Sequence, residues 1–152
     1  MASLIDTLIE ILYKESEAYE ELTELSMKKT PIIIKGDIGA LQAITDEEQL
    51  VVGKINRIDN ERRRVMKDIA GVINTDVETL KLIDLIHVLE RRPSEKQKLA
   101  ACHDKLKESV YRMKQVNDQN AKLIADALEM TKFEMNMLQA MKSAPETANY
   151  NK

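Results

Sequence analysis

Apolar residues recur at spacings of three and four along most of the chain, and that pattern divides it into helices. Leu4, Leu8, Ile11, Ala18, Leu22 and Leu25 form a first stripe, flanked by Ile5, Ile9, Leu12 and Tyr19. Glu10, Glu17, Glu20, Glu21 and Glu24 occupy the other face. Ser3, with Asp6 in the first turn, suits the start of this helix. Pro31 lacks an amide hydrogen and crowds the carbonyl one turn back, so the helix is expected to end or kink near Thr30. Ile32 to Ile34 would then bridge to Gly36, which reads as a stop.

Asp37 caps a second helix, expected from Ile38 to about Ala70. Its seam runs Leu41, Ile44, Glu48, Val51, Ile55, Ile58, Arg62, Val65, Ile69, the heptad spacing of helices that supercoil side by side. A charge in such a seam destabilises unless it is paired, so Glu48 and Arg62 are expected to fix register or to face a wet part of the bundle. Gly53 implies a close helix approach or a local bend. Thr75 with Glu78, and Ser94 with Gln97, are capping-box patterns. Between them lies a short helix, roughly Val77 to Glu90, with Val77, Leu80, Ile83, Ile86 or His87, and Leu89 as its apolar set.

From Ser94 to Lys142 there is neither Gly nor Pro, which predicts one helix of roughly 70 Å at 1.5 Å per residue. Its first half has a single stripe: Leu99, Cys102, Leu106, Val110, Met113, then Val116 or Asn117. Its second half has two, Leu128–Thr131–Met135–Leu138 and Met130–Phe133–Met137–Met141. A helix at the edge of a small bundle buries one of these against its own chain, so the other is surplus. The expected fold is all-α: an elongated antiparallel helical bundle with long coiled-coil-like helices and a very long C-terminal helix. Residues 1–143 are expected to form a single domain, and 144–152 read as a disordered tail.

Composition narrows the function. A net charge of −3 and a pI near 5.5 give no general attraction to nucleic acid or to an anionic membrane. Arg62, Arg63, Arg64 and Lys67 are interleaved with Asp59, Glu61 and Asp68, which reads as a solvated helical face. The N-terminus lacks the basic region of a signal peptide, and no apolar run reaches the ~18 residues of a membrane span, so a reduced cytosolic compartment is expected. Cys102 is the single cysteine and reads as a small buried hydrophobe.

Candidate chemistry is sparse. Asp84 stands three residues before His87, but Ala100 holds that place before His103, so a helical carboxylate–histidine metal site lacks its second half. His87 is better read as a half-buried seam residue and His103 as a surface one. Histidine phosphotransfer bundles carry Leu, Lys and Gly at two, three and four residues after their histidine; His103 is followed there by Lys105, Leu106 and Lys107. Neither a nucleophile elbow nor a phosphate-cradling glycine loop is present. The reading is a protein that is not an enzyme and uses no cofactor or metal.

The methionines are the remaining signal, with Met130, Met135, Met137 and Met141 crowded into three turns. Methionine is flexible and polarisable and suits surfaces that repack around different apolar helices. Met130, Phe133, Met137 and Met141 are therefore the expected docking residues for an amphipathic client segment. The alternative is a structural coiled-coil protein that buries this face by self-association.

Several segments resemble the FlgN-type flagellar export chaperones. They are Leu4-Ile5-Asp6-Thr7-Leu8 opening an acidic first helix, Lys35-Gly36-Asp37 leading into Leu41 and Ile44, Glu61-Arg62-Arg63, and above all Asn117-Asp118-Gln119-Asn120-Ala121-Lys122-Leu123-Ile124 followed by Leu128. The resemblance implies a cytosolic, all-helical chaperone that holds hook-filament junction proteins before export, binding their C-terminal amphipathic region. It implies that the helix from Asn120 to Met141 does the binding, adding Asn120, Leu123, Ile124 and Ala127 to the docking residues. It also implies that a tyrosine near the C-terminus, here Tyr150, docks on the flagellar export gate, with the export ATPase as a further partner.

Overall fold

The regular seam from Leu41 to Ile69 is buried or half-buried along its whole length, in a helix spanning Ile38–Val72 (α2). It lies against α1 (Ala2–Lys35). After a short helix α3 (Leu82–Val88) and a 3-10 turn (Leu89–Arg91), the chain ends in α4 (Pro93–Tyr150). The structure is a computed structural model that describes residues 3–142 with their side chains; no strand occurs among them. The tail 144–152, with Tyr150, lies outside these described residues.

The all-α bundle is organised around α1. Both α2 and α4 pack along it, while the backbones of α2 and α4 do not come together. Successive long helices run antiparallel, which leaves α4 parallel to α1: Leu99, Cys102 and Leu106 share a cluster with Ile5, Leu8 and Leu12, and Asn120 meets Ser26 and Thr30. The doubled apolar positions at the start of α1 reflect this central place, because that helix buries two faces. Ile5, Leu8, Leu12, Ile69, Leu85, Leu89 and Leu99 are sealed together at one end, with α3 as the lid.

Farther along, the interface turns polar. Glu48 accepts hydrogen bonds from the Ser26 hydroxyl at 2.7 Å and from Lys29 Nζ at 2.8 Å. Arg62 reaches Asp59 at 2.7 Å and the buried Glu15 at 3.3 Å. Both seam charges are thus paired, and Glu48 and Arg62 each tie α2 to α1. The Arg62–Glu15 contact is an ion pair without hydrogen-bond alignment, and Glu15 Oε2 and Ser16 Oγ have no hydrogen-bond partner. Desolvation raises the Glu15 pKa above the ordinary carboxylate value, with Arg62 opposing it.

Several local expectations are corrected. Of the end or kink expected near Thr30, the end does not occur: α1 continues through Pro31 to Lys35. One forfeited backbone bond is outweighed by tertiary contacts, because Ile33 is buried and Thr30 is tied to Asn120. Gly36 then takes φ +71°, its amide donating to the carbonyls of Ile32 and Ile33, and Asp37 Oδ1 accepts from the Ala40 amide to start α2. Ser3 lies inside α1, its carbonyl accepting from Thr7 Oγ1. A Cβ at Gly53 would meet nothing within 4 Å, so close helix approach does not explain that glycine.

The short helix begins at Leu82, five residues later than expected, because Asp76 folds the chain into a turn by accepting from the Glu78 amide. The capping contact comes from Asp84, which accepts from the Lys81 amide at 3.0 Å. Leu85 and Ile86 are buried and His87 is exposed, while His103 is the half-buried histidine, 3.3 Å from Asp104. Ser94 is not a cap either. Pro93 opens α4, where its missing amide hydrogen costs nothing, and Lys96 donates to the Arg92 carbonyl.

Candidate functional site

The first half of α4 is an ordinary packing helix. Leu99, Cys102, Leu106, Ser109 and Asn120 are buried, Met113 and Val116 half-buried, and Asn117 exposed. The Cys102 thiol sits in the core, where burial raises its pKa and makes it a poor nucleophile.

Asn120 marks where this packing ends. Only 3% exposed, it donates from Nδ2 to the Ser26 carbonyl at 2.7 Å and accepts from Thr30 Oγ1 at 2.6 Å. That register sets Lys35, the last residue of α1, level with about residue 127 of α4 at 1.5 Å per residue. Beyond that level α1 and α2 no longer flank α4. Every residue from Ala125 to Lys142 is exposed, a bare rod of about 27 Å.

The expected docking residues accordingly divide. Asn120 faces inward and clamps α4 to α1, so its side chain is not part of the exposed surface. Leu123 and Ile124 are half-buried, and Ala127 is exposed. Met130, Phe133, Met137 and Met141 stand 50–61% exposed on the rod. The stripe Leu128, Thr131, Met135, Leu138, expected to pack on the chain itself, is exposed as well. The reason is length: α1 and the turn into α2 stop short of it.

Two neighbouring features were not legible in the sequence. Ile34 and Ile38, at the α1–α2 turn, are 70% and 80% exposed and lie at the level where the rod emerges. A shallow hollow on the rod is lined by Met130, Phe133, Asp126 and Glu129, so this apolar stripe has an acidic border. Another apolar hollow, at the α3 end, is lined by Met66, Val77, Leu80 and Ile83 with Arg62, Arg63 and His103. Among the described residues no group of three or more His, Cys, Asp or Glu is placed to hold a metal ion, and no helix is long and apolar enough to cross a membrane.

The Asn120 clamp can be tested alone. Asn120→Ala is expected to destabilise the protein by about 1–2 kcal/mol, since it removes two short hydrogen bonds at a buried site and leaves the Thr30 hydroxyl only its longer bond, 3.3 Å, to the Ser26 carbonyl. Hydrogen exchange should show faster opening around residues 26–35 and 116–124, with the Leu99 end unchanged.

Comparison with known proteins adds to this geometry. The profile of a family described as FlgN protein matches residues 1–152, the full chain. The uncharacterized protein YvyG of Bacillus subtilis (strain 168) is 26% identical over 144 residues, covering 95% of this chain and 83% of that protein. No solved structure matches.

Proposed function

The chain belongs to the FlgN family, whose members are chaperones of flagellar protein export and not enzymes, and on that premise we propose that it is a cytoplasmic chaperone for hook-filament junction proteins. It binds their C-terminal amphipathic region on the projecting part of α4, keeps them from assembling early and delivers them for export. The observation that carries this reading is the bare rod: apolar side chains that stand exposed on a helix past the end of α1. An exposed patch of that kind marks an interaction surface. The contacting residues are Met130, Phe133, Met137 and Met141, with Leu123, Ile124 and Ala127 at the root. Asn120 holds that root in place. Tyr150 is the proposed contact to the export gate, and the export ATPase is the second proposed recipient of the loaded complex.

Binding needs no nucleotide, because apolar burial supplies the free energy and gives a negative heat-capacity change. Changing Met130, Phe133, Met137 and Met141 together to Ala should weaken calorimetric binding of a junction protein's C-terminal segment by more than about 100-fold. Helicity and melting should hold. Unchanged affinity would move the site elsewhere. The exposed stripes also suit a self-associating coiled coil, in which a second copy covers them. Sedimentation at low micromolar concentration separates the two readings, a monomer supporting the chaperone and a stable dimer the coiled coil.

A further inference from the structure

Past the end where α3 packs, from Leu106 to Ile124, the buried and half-buried positions of α4 span an arc of roughly 140° at about 100° per residue, from Leu123 through Asn120 to Val110, on the side where α1 packs. On the bare rod the apolar arc is roughly 220° wide, from Phe133 through Met137 and Leu138 to Leu128. The half holding Leu128, Met135 and Leu138 continues the direction of the buried seam. The half holding Phe133, Met130 and Met137 lies beside it, bordered by Asp126 and Glu129.

One helix packed on the rod as α1 packs on α4 would cover about two thirds of that arc and leave the rest in water. Building on the chaperone reading above, we propose that the flagellar client covers the rod with two helices. The first continues the line that α1 leaves at Lys35, packs on Leu128, Met135 and Leu138, and abuts the exposed Ile34 and Ile38 at its end. The second lies on Met130, Phe133 and Met137, and carries Lys or Arg beside its apolar residues to meet Asp126 and Glu129. The occupant follows from continuity: α1 ends while the face it covers goes on, and that face broadens at the same level. The loaded rod is a three-helix bundle in which this chain supplies one helix. Leu128 to Met141 span about 20 Å, so each client helix needs roughly 14 residues in contact.

The test uses the full-length protein and two probes from a hook-filament junction protein of the same organism: its last amphipathic helix as a peptide, and a longer segment that includes the preceding helix. Three variants are compared by calorimetry, L128S/M135S/L138S, M130S/F133S/M137S and I34D/I38D, with circular dichroism to check helicity. The longer segment should bind one to one and at least about tenfold tighter than the single helix, and each rod variant should weaken it by more than about tenfold. The turn variant should weaken it by about threefold or more, since Ile34 and Ile38 touch only the end of one helix. If only one rod variant has an effect, a single helix docks; the two-helix proposal then falls while the chaperone reading stands. Failure of both probes to bind the unaltered protein would overturn both. A dimer that either rod variant dissociates would make a second copy the occupant and overturn the proposal as well.

Discussion

Leu99→Ala is expected to lower the unfolding free energy by about 3 kcal/mol, whereas Leu138→Ala should change it by less than about 0.5 kcal/mol. Both are leucines on the same helix at apolar positions of the same periodicity. Leu99 is completely buried, packed in the cluster that holds Ile5, Leu8, Leu12, Ile69, Leu85 and Leu89. Removing its isobutyl group leaves a cavity that three helices and the α3 lid would have to collapse into, and close-packed interiors relax only partly. Leu138 is 60% exposed on the rod and loses little by truncation. Urea denaturation gives the free energies, and the Leu99 variant should melt roughly 10 °C lower for a domain of this size. Equal losses at the two sites would mean that the rod is covered in the free protein, and the docking surface would be withdrawn.

Arg62→Met should cost roughly 2–4 kcal/mol near pH 8 and clearly less near pH 5, because it leaves the buried Glu15 without the cation that faces it. The direction follows from linkage. Burial already holds the folded-state pKa of Glu15 above its unfolded value, and Asp59 pushes the same way, while Arg62 pulls it down. A carboxyl raised in the folded state favours folding when protonated. That contribution is fully present below the unfolded pKa and is lost as pH rises through the folded pKa. Without Arg62 the folded pKa climbs further, so the loss between acid and neutral pH grows. Urea midpoints at several pH values measure it. Adding Glu15→Gln to Arg62→Met should restore most of the stability at pH 8 and flatten the pH dependence, since a neutral amide escapes the charge-burial penalty. A deficit that does not vary with pH would show that lost packing of the Arg62 side chain, and not the stranded charge, is responsible.

Much of the fold was legible because helical periodicity is local. The α2 seam from Leu41 to Ile69 is buried or half-buried at every predicted position, and the long last helix starts within a residue of its expected origin. The misses came where a local rule met a tertiary contact. Pro31 forbids one backbone bond, yet Ile33 burial and the Thr30–Asn120 tie carry α1 past it. Thr75 and Ser94 have capping side chains, but Asp76, Asp84 and Pro93 offer competing turns and starts nearby. His87 is exposed and His103 half-buried, the reverse of the expected roles, because the positions of α3 that face the core are Leu85 and Ile86.

The candidate site divides in the same way. That the last helix carries more apolar surface than one neighbour can bury follows from residue spacing alone, since 3.6 residues per turn sends Met130, Phe133 and Met137 away from the face that holds Leu128, Met135 and Leu138. Where cover stops does not follow from spacing. It depends on the register of α4 against α1, and Asn120 sets that register by bonding to Ser26 and Thr30, residues some ninety positions away. Helix type and apolar faces are decided by neighbours a turn apart, so the chain states them directly. Which faces stay bare is decided by where one helix ends beside another, and only packing in three dimensions decides that.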